Sequence, residues 1–138
     1  MLSRLIVITA LLWVGMILGI SFLESWVKFR APSLTRAVGL DVGRTVFKFF
    51  QKVQCILLMV IILIGIFIKL TLINWLIVGM LTIIFILQST WLFPILDQRV
   101  NVILAGGKPQ NSQVHKVYGI FEIAKFVVLI DFSMRLML

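Results

Sequence analysis

Four long apolar runs, separated by short polar connections, set the organisation of this chain. They cover about residues 5–26, 46–68, 73–93 and 117–136, and the second holds an uninterrupted apolar stretch from Ile56 to Ile68. Each is close to the ~20 residues that a ~30 Å hydrocarbon layer requires at about 1.5 Å of rise per residue. The apolar residues run unbroken and do not alternate with polar ones, which predicts helices and argues against a β-barrel. The predicted fold is all-α: a single transmembrane domain over residues 1–138, built as an integral membrane four-helix bundle. The first run, with Arg4 before it and the small residues Gly19 and Ser21 near its end, shares features with a cleaved leader. Its length favours an uncleaved span.

The connections carry their own signals. Pro32 stops the extension of the first span, because its ring and missing N–H break a continuing helix. Residues 33–44 then mix apolar and polar positions in a way that suits a short interfacial helix between spans one and two, lying in the headgroup layer. Lys69 to Asn74 is short enough for a tight hairpin between spans two and three. Pro94 follows span three, and Gly106-Gly107-Lys108-Pro109 with Asn111 and Ser112 predicts a flexible polar turn before span four. Gly15 and Gly19 form a GxxxG pair in span one, which would let a neighbouring helix or a second copy approach closely.

Composition removes the soluble alternatives. The chain is 62% hydrophobic and 13% charged, with a mean hydropathy of +1.16, against about 45–50% apolar and 25% charged in soluble domains. A formal charge of +8 would suggest nucleic acid in a soluble protein. Here the basic residues flank the spans, where anionic headgroups account for them. No nucleic-acid-binding module is visible, and no nucleic-acid partner is expected. Cys55 is the one cysteine, so no intrachain disulfide can form.

Charge also sets orientation. Lys28, Arg30, Arg36, Arg44, Lys48, Lys52, Arg99, Lys108 and Lys116 lie in or beside the two longer connections, whereas Arg4, Lys69 and Arg135 flank the opposite ends of the spans. Nine against three places both longer loops in the cytoplasm and both termini outside, in a bacterial inner membrane. Trp26 and Trp91 then fall at the inner interface and Trp75 at the outer one, as an aromatic belt requires.

Candidate chemistry gathers at the cytoplasmic depth. Glu24 and Lys28 are i,i+4 neighbours at the end of span one. Arg44, Lys48 and Lys52 recur every four residues and stripe one face. Gln88 sits near the inner end of span three, and His115 and Glu122, seven apart, share a face of span four, with Lys125 just beyond. In a bundle these ends converge on one polar vestibule. One reading makes it a binding site for an ion or solute through Glu24, Gln88, His115 and Glu122. The other is plain pairing, Glu24 with Lys28 or Lys52 and Glu122 with Lys125, with lysine stems reaching for the interface. Arg36, Arg44, Lys48 and Lys52 are the candidates for gripping anionic lipid or a partner. No catalytic residue set, metal-ligand spacing or cofactor motif appears: His115 is the one histidine, and the six methionines suit packing. An enzyme using His115 and Glu122 as acid and base would lack a nucleophile or metal.

Three patches together resemble the transmembrane-protein-205-like family of small four-span membrane proteins and related bacterial domains of unknown function. They are Gly19 to Phe50, Trp91-Leu92-Phe93-Pro94, and His115-Lys-Val-Tyr-Gly119. The resemblance implies a four-helix fold, carries over Trp91, Pro94, His115 and Gly119, and implies no substrate. The connection between spans three and four is much shorter here than in that family. The expected function is to bind or move a small ion or solute through the cytoplasm-facing polar cluster. The alternative is a membrane scaffold held to anionic headgroups or a partner by its basic loop. Assembly as a homodimer or other oligomer is expected, since four short spans bury little surface against one another.

Overall fold

The computed structural model describes residues 1–110 and 113–138. Four helices run up and down in sequence: α1 Leu2–Arg30, α2 Arg36–Ile68, α3 Leu72–Leu104 and α4 Val114–Met137. α1 packs against α2 and α4, and α3 closes the ring against the same two. Ile6, Ala10, Trp13 and Ile17 of α1, Ile61 of α2, Leu81 of α3, and Leu129 and Phe132 of α4 are fully buried at the centre. The outside is apolar too: Leu63, Phe67, Leu76, Ile83 and Val127 are each more than half exposed. A surface of that kind suits lipid far better than water. α1, α2 and α3 are each long and apolar enough to cross a membrane. α4 has the length, but Glu122, Lys125 and Asp131 interrupt its apolar residues.

The short interfacial helix expected at residues 33–44 does not exist as a separate element. Thr35 caps α2, its hydroxyl accepting from the Val38 N–H at 3.3 Å, and nothing breaks the 33 residues that follow. Gly39 and Gly43 are buried within α2 and seat the end of α1. A Cβ on Gly39 would lie 2.5 Å from the Phe29 ring. Gly39→Leu is therefore expected to overpack this contact and cost about 1–3 kcal/mol, read as a lower melting temperature in detergent.

Pro94 does not end the third helix, which continues to Leu104. Its ring opposes the carbonyl four residues back and it has no N–H to give. The helix relieves this by widening to a π-turn over Gln88–Leu92. α1 widens likewise over Ile17–Glu24, where the Ser25 hydroxyl donates to the Ile20 carbonyl at 3.1 Å. At 33 residues each, α2 and α3 are about 50 Å long. That exceeds a hydrocarbon layer by about 20 Å. The excess, around Arg36 and Leu104, supplies walls of a cavity lined by Arg36, Leu40, Arg99 and Ile103.

The α2–α3 hairpin is tighter than expected, Lys69 to Thr71. Lys69 turns left-handed at φ 53°, ψ 64°, and the Leu70 N–H bonds back to the Gly65 carbonyl at 3.2 Å. A side chain in this conformation carries a steric penalty that glycine escapes. Lys69→Gly is expected to stabilise the fold by about 0.5–1 kcal/mol in thermal melts. Gly106, at φ 84°, ends α3 in the same manner, with the Gly107 N–H on the Val102 carbonyl at 2.9 Å. Asn111 and Ser112 lie outside the described residues. Gly15 and Gly19 have no atom within 4 Å of a built Cβ, so internal packing does not use the GxxxG pair.

Candidate functional site

Polar side chains from all four helices meet inside the bundle. Glu122 of α4 is 1% exposed and Lys125, one turn on, is 0% exposed; the two form an ion pair. Around them the partners are specific. Ser21 of α1 donates its hydroxyl to Glu122 Oε2 at 2.5 Å, and Gln88 of α3 donates Nε2 to Glu122 Oε1 at 2.9 Å. Lys125 Nζ donates to Gln54 Oε1 of α2, and the Trp13 indole N–H of α1 donates to the same oxygen at 3.0 Å. The result is a continuous chain from Trp13 through Gln54, Lys125 and Glu122 to Ser21 and Gln88. Burying charge in an apolar bundle is costly unless it is paired and hydrogen-bonded, and this pair is both.

The π-turns have a local role here. Ser21 lies in the widened segment of α1 and Gln88 opens that of α3. An extra residue per turn rotates a side chain out of its α-helical direction. Both segments supply the side chains that reach Glu122. Gln88 also donates to the Tyr118 carbonyl at 3.3 Å, and its own Oε1 is buried without a partner among the described residues.

A cavity of about 450 Å³ opens from the basic end of the bundle and reaches Glu122. His115 stands exposed at its edge and Glu122 is buried at its floor, about 10 Å deeper along α4. Phe22, Phe47 and Phe93 form apolar walls, and Lys28, Arg36, Arg44 and Arg99 line it with cationic groups. Beyond the network the bundle is closed by the buried residues Ile61, Leu81, Leu129 and Phe132.

Of the four residues read as an ion or solute site, Gln88 and Glu122 touch directly and His115 lines the same cavity. Glu24 stands apart from the network. It pairs with Lys28 at 3.4 Å, and its second oxygen is buried without a partner among the described residues. Among the basic candidates, Arg36 and Arg44 line this cavity, while Lys48 and Lys52 are exposed beside a second one of about 440 Å³. Arg44 is held by Asp41 at 2.7 Å, Asp97 at 3.5 Å, and Asn101. Gly119 lines the main cavity, whereas Trp91 and Pro94 lie exposed on α3. No group of three or more His, Cys, Asp or Glu able to hold a metal occurs among the described residues.

Sequence reasoning passed over Trp13, Gln54 and Ser21. The signals were present but weak. Trp13 lies mid-span, away from the interface where its N–H could find water, so it requires a buried partner. Gln54 is an amide at the start of an otherwise apolar run. Compared with known protein families, characterised proteins and solved structures, the chain shows no significant match in any of the three.

Proposed function

We propose that this is a four-span bacterial inner-membrane protein, with both termini outside, that binds and moves a small ion or solute taken from the cytoplasm. The observation that carries this reading is the cavity, open at the basic end and closed by a buried ion pair to which all four helices contribute. Ionisable residues at such depth are expensive in lipid and mark solute pathways where they occur. α4 crosses despite its charges because Glu122 and Lys125 satisfy each other inside, leaving Ile120, Ile123 and Val127 to face lipid. Nine cations against three set the orientation. With its outer half packed shut, the molecule is in an inward-open state.

Gly119 lines the cavity, and a Cβ there meets no atom within 4 Å. Gly119→Phe is therefore expected to fill the space without displacing backbone. Native mass spectrometry of protein purified from membranes should find a small molecule on the wild type that is missing from this variant. The same bound contents in both proteins would refute a ligand site in the cavity.

The scaffold reading has one observation of its own. Lys48 and Lys52 are exposed a turn apart on α2, neither has a carboxylate partner among the described residues, and Lys52 lies 5.1 Å from the centre of the Phe49 ring. If they grip anionic headgroups, Lys48→Gln with Lys52→Gln should weaken binding of fluorescent phosphatidylglycerol in mixed micelles. At about 1 kcal/mol per cation the loss for the pair is roughly thirtyfold, using ~1.4 kcal/mol per tenfold. The difference should vanish near 1 M salt, where the screening length is about 3 Å.

A further inference from the structure

Resting on the cavity as the binding site, we propose that its ligand is an amphipathic organic anion, with a phosphate or carboxylate head held by Arg36 and Arg99 and a short apolar body between the aromatic walls. The charge inventory leads there. The chain has five carboxylates, and each is engaged: Glu24 with Lys28, Asp41 and Asp97 with Arg44, Glu122 with Lys125, and Asp131 with Arg135. Two of the cations lining the cavity, Lys28 and Arg44, are therefore already neutralised. Among the described residues, Arg36 and Arg99 line the same cavity with no acidic partner, and Arg99 donates to the Gln110 carbonyl. A guanidinium offers several N–H donors in a planar fork, which suits a phosphate or carboxylate.

A cationic ligand fits poorly for the complementary reason. Glu122 is the one carboxylate on the lining, and its oxygens already accept from Lys125, Gln88 and Ser21. Deeper than the arginines the lining is mainly apolar, broken by the hydroxyls of Ser21, Ser25 and Tyr118: Phe47 and Phe93 come from facing helices, with Phe47 set edge-on to Tyr118 at 5.6 Å between ring centres. Bare inorganic phosphate would leave those walls unused, and a neutral alcohol would leave the arginines unused. A volume of about 450 Å³ lies within the ~300–1,000 Å³ of small-molecule sites. Two sources supply such chemistry, the headgroup end of an anionic lipid and a free organic anion.

The test uses the full chain in phosphatidylcholine nanodiscs, with calorimetric titration of octyl phosphate, 1-octanol, inorganic phosphate and octylammonium, corrected against empty discs. Octyl phosphate is expected to bind at least about tenfold tighter than the other three. Arg36→Gln with Arg99→Gln should weaken it about tenfold or more, since each charge-assisted contact is worth roughly a tenfold change. Lys69→Gln, at the opposite end, should leave it unchanged. Neither arginine has an acidic partner to lose among the described residues, so the double variant should keep a melting temperature close to that of the wild type. Gly119→Phe provides a second route and should abolish binding. Displacement of octyl phosphate when phosphatidylglycerol is added to the disc would identify the ligand as a lipid headgroup; unchanged affinity would identify a free anion. Either result keeps the anionic assignment. Tighter binding of octylammonium, or indifference of octyl phosphate to the arginine pair, would overturn that assignment while leaving the cavity reading intact where Gly119→Phe still blocks binding. Binding of no probe would overturn the assignment as well. Binding unaffected by Gly119→Phe would overturn both.

Discussion

Lys125→Met is expected to destabilise the protein by about 3–5 kcal/mol. The side chains are of similar length, so packing changes little. The loss arises because Glu122, 1% exposed, would keep a charge with no counterion. Breaking a buried pair by removing one partner costs far more than removing both. Lys125→Met combined with Glu122→Gln should therefore recover most of the stability, since the glutamine oxygen still accepts from Gln88 while its amide N–H can donate to the Ser21 hydroxyl. Thermal melts of the two single variants and the double, read as a double-mutant cycle, check this. Additive losses would show that the pair is not coupled.

Gln54→Leu is expected to cost about 2–3 kcal/mol. One oxygen of Gln54 accepts from both Trp13 and Lys125, so a single substitution takes the acceptor from two buried N–H groups, leaving Lys125 with Glu122 alone and Trp13 with no partner among the described residues. The two do not weigh equally. A neutral interhelical hydrogen bond within a membrane averages only about 0.6 kcal/mol, whereas a hydrogen bond to a charged group is worth about 1.5–3 kcal/mol. Most of the loss should come from Lys125. Adding Trp13→Phe to Gln54→Leu should therefore change stability little further, apart from the smaller ring, and denaturation of the double variant measures that.

Much of the architecture was legible in the apolar runs. Four runs gave four helices, and Lys69 with its neighbours gave the hairpin. The start of α2 around Arg36 and the end of α3 around Leu104 were misread for a physical reason. Once a helix leaves the hydrocarbon layer its apolar residues thin out, and hydropathy then resembles that of a surface segment or loop. Residues 36–45 and 94–104 are therefore helical where the apolar signal had faded. Pro94 strengthened the misreading, because a π-turn that absorbs a proline leaves no mark in composition.

The site divided along similar lines. Gln88, His115 and Glu122 could be grouped because each lies near the basic end of its apolar run, and depth follows from counting residues along the run. The partnership of Trp13 with Gln54, 41 residues apart, could not be read that way. It depends on how each helix is rotated about its axis, and the bundle fixes that. Glu24 shows the limit of depth alone: it sits at an appropriate level, yet its nearest cation, Lys28, lies one turn along its own helix and holds it.

The most direct measurement is side-specific labelling of single cysteines with a membrane-impermeant maleimide, in a Cys55→Ser background because Cys55 is itself exposed. Gly119→Cys reports the cavity and Lys69→Cys the hairpin. Inverted membrane vesicles should label Gly119→Cys and intact cells should not, with the opposite pattern at Lys69→Cys. Labelling of Gly119→Cys from the outside, or of both positions from one side, would contradict an inward-open cavity in a four-span bundle.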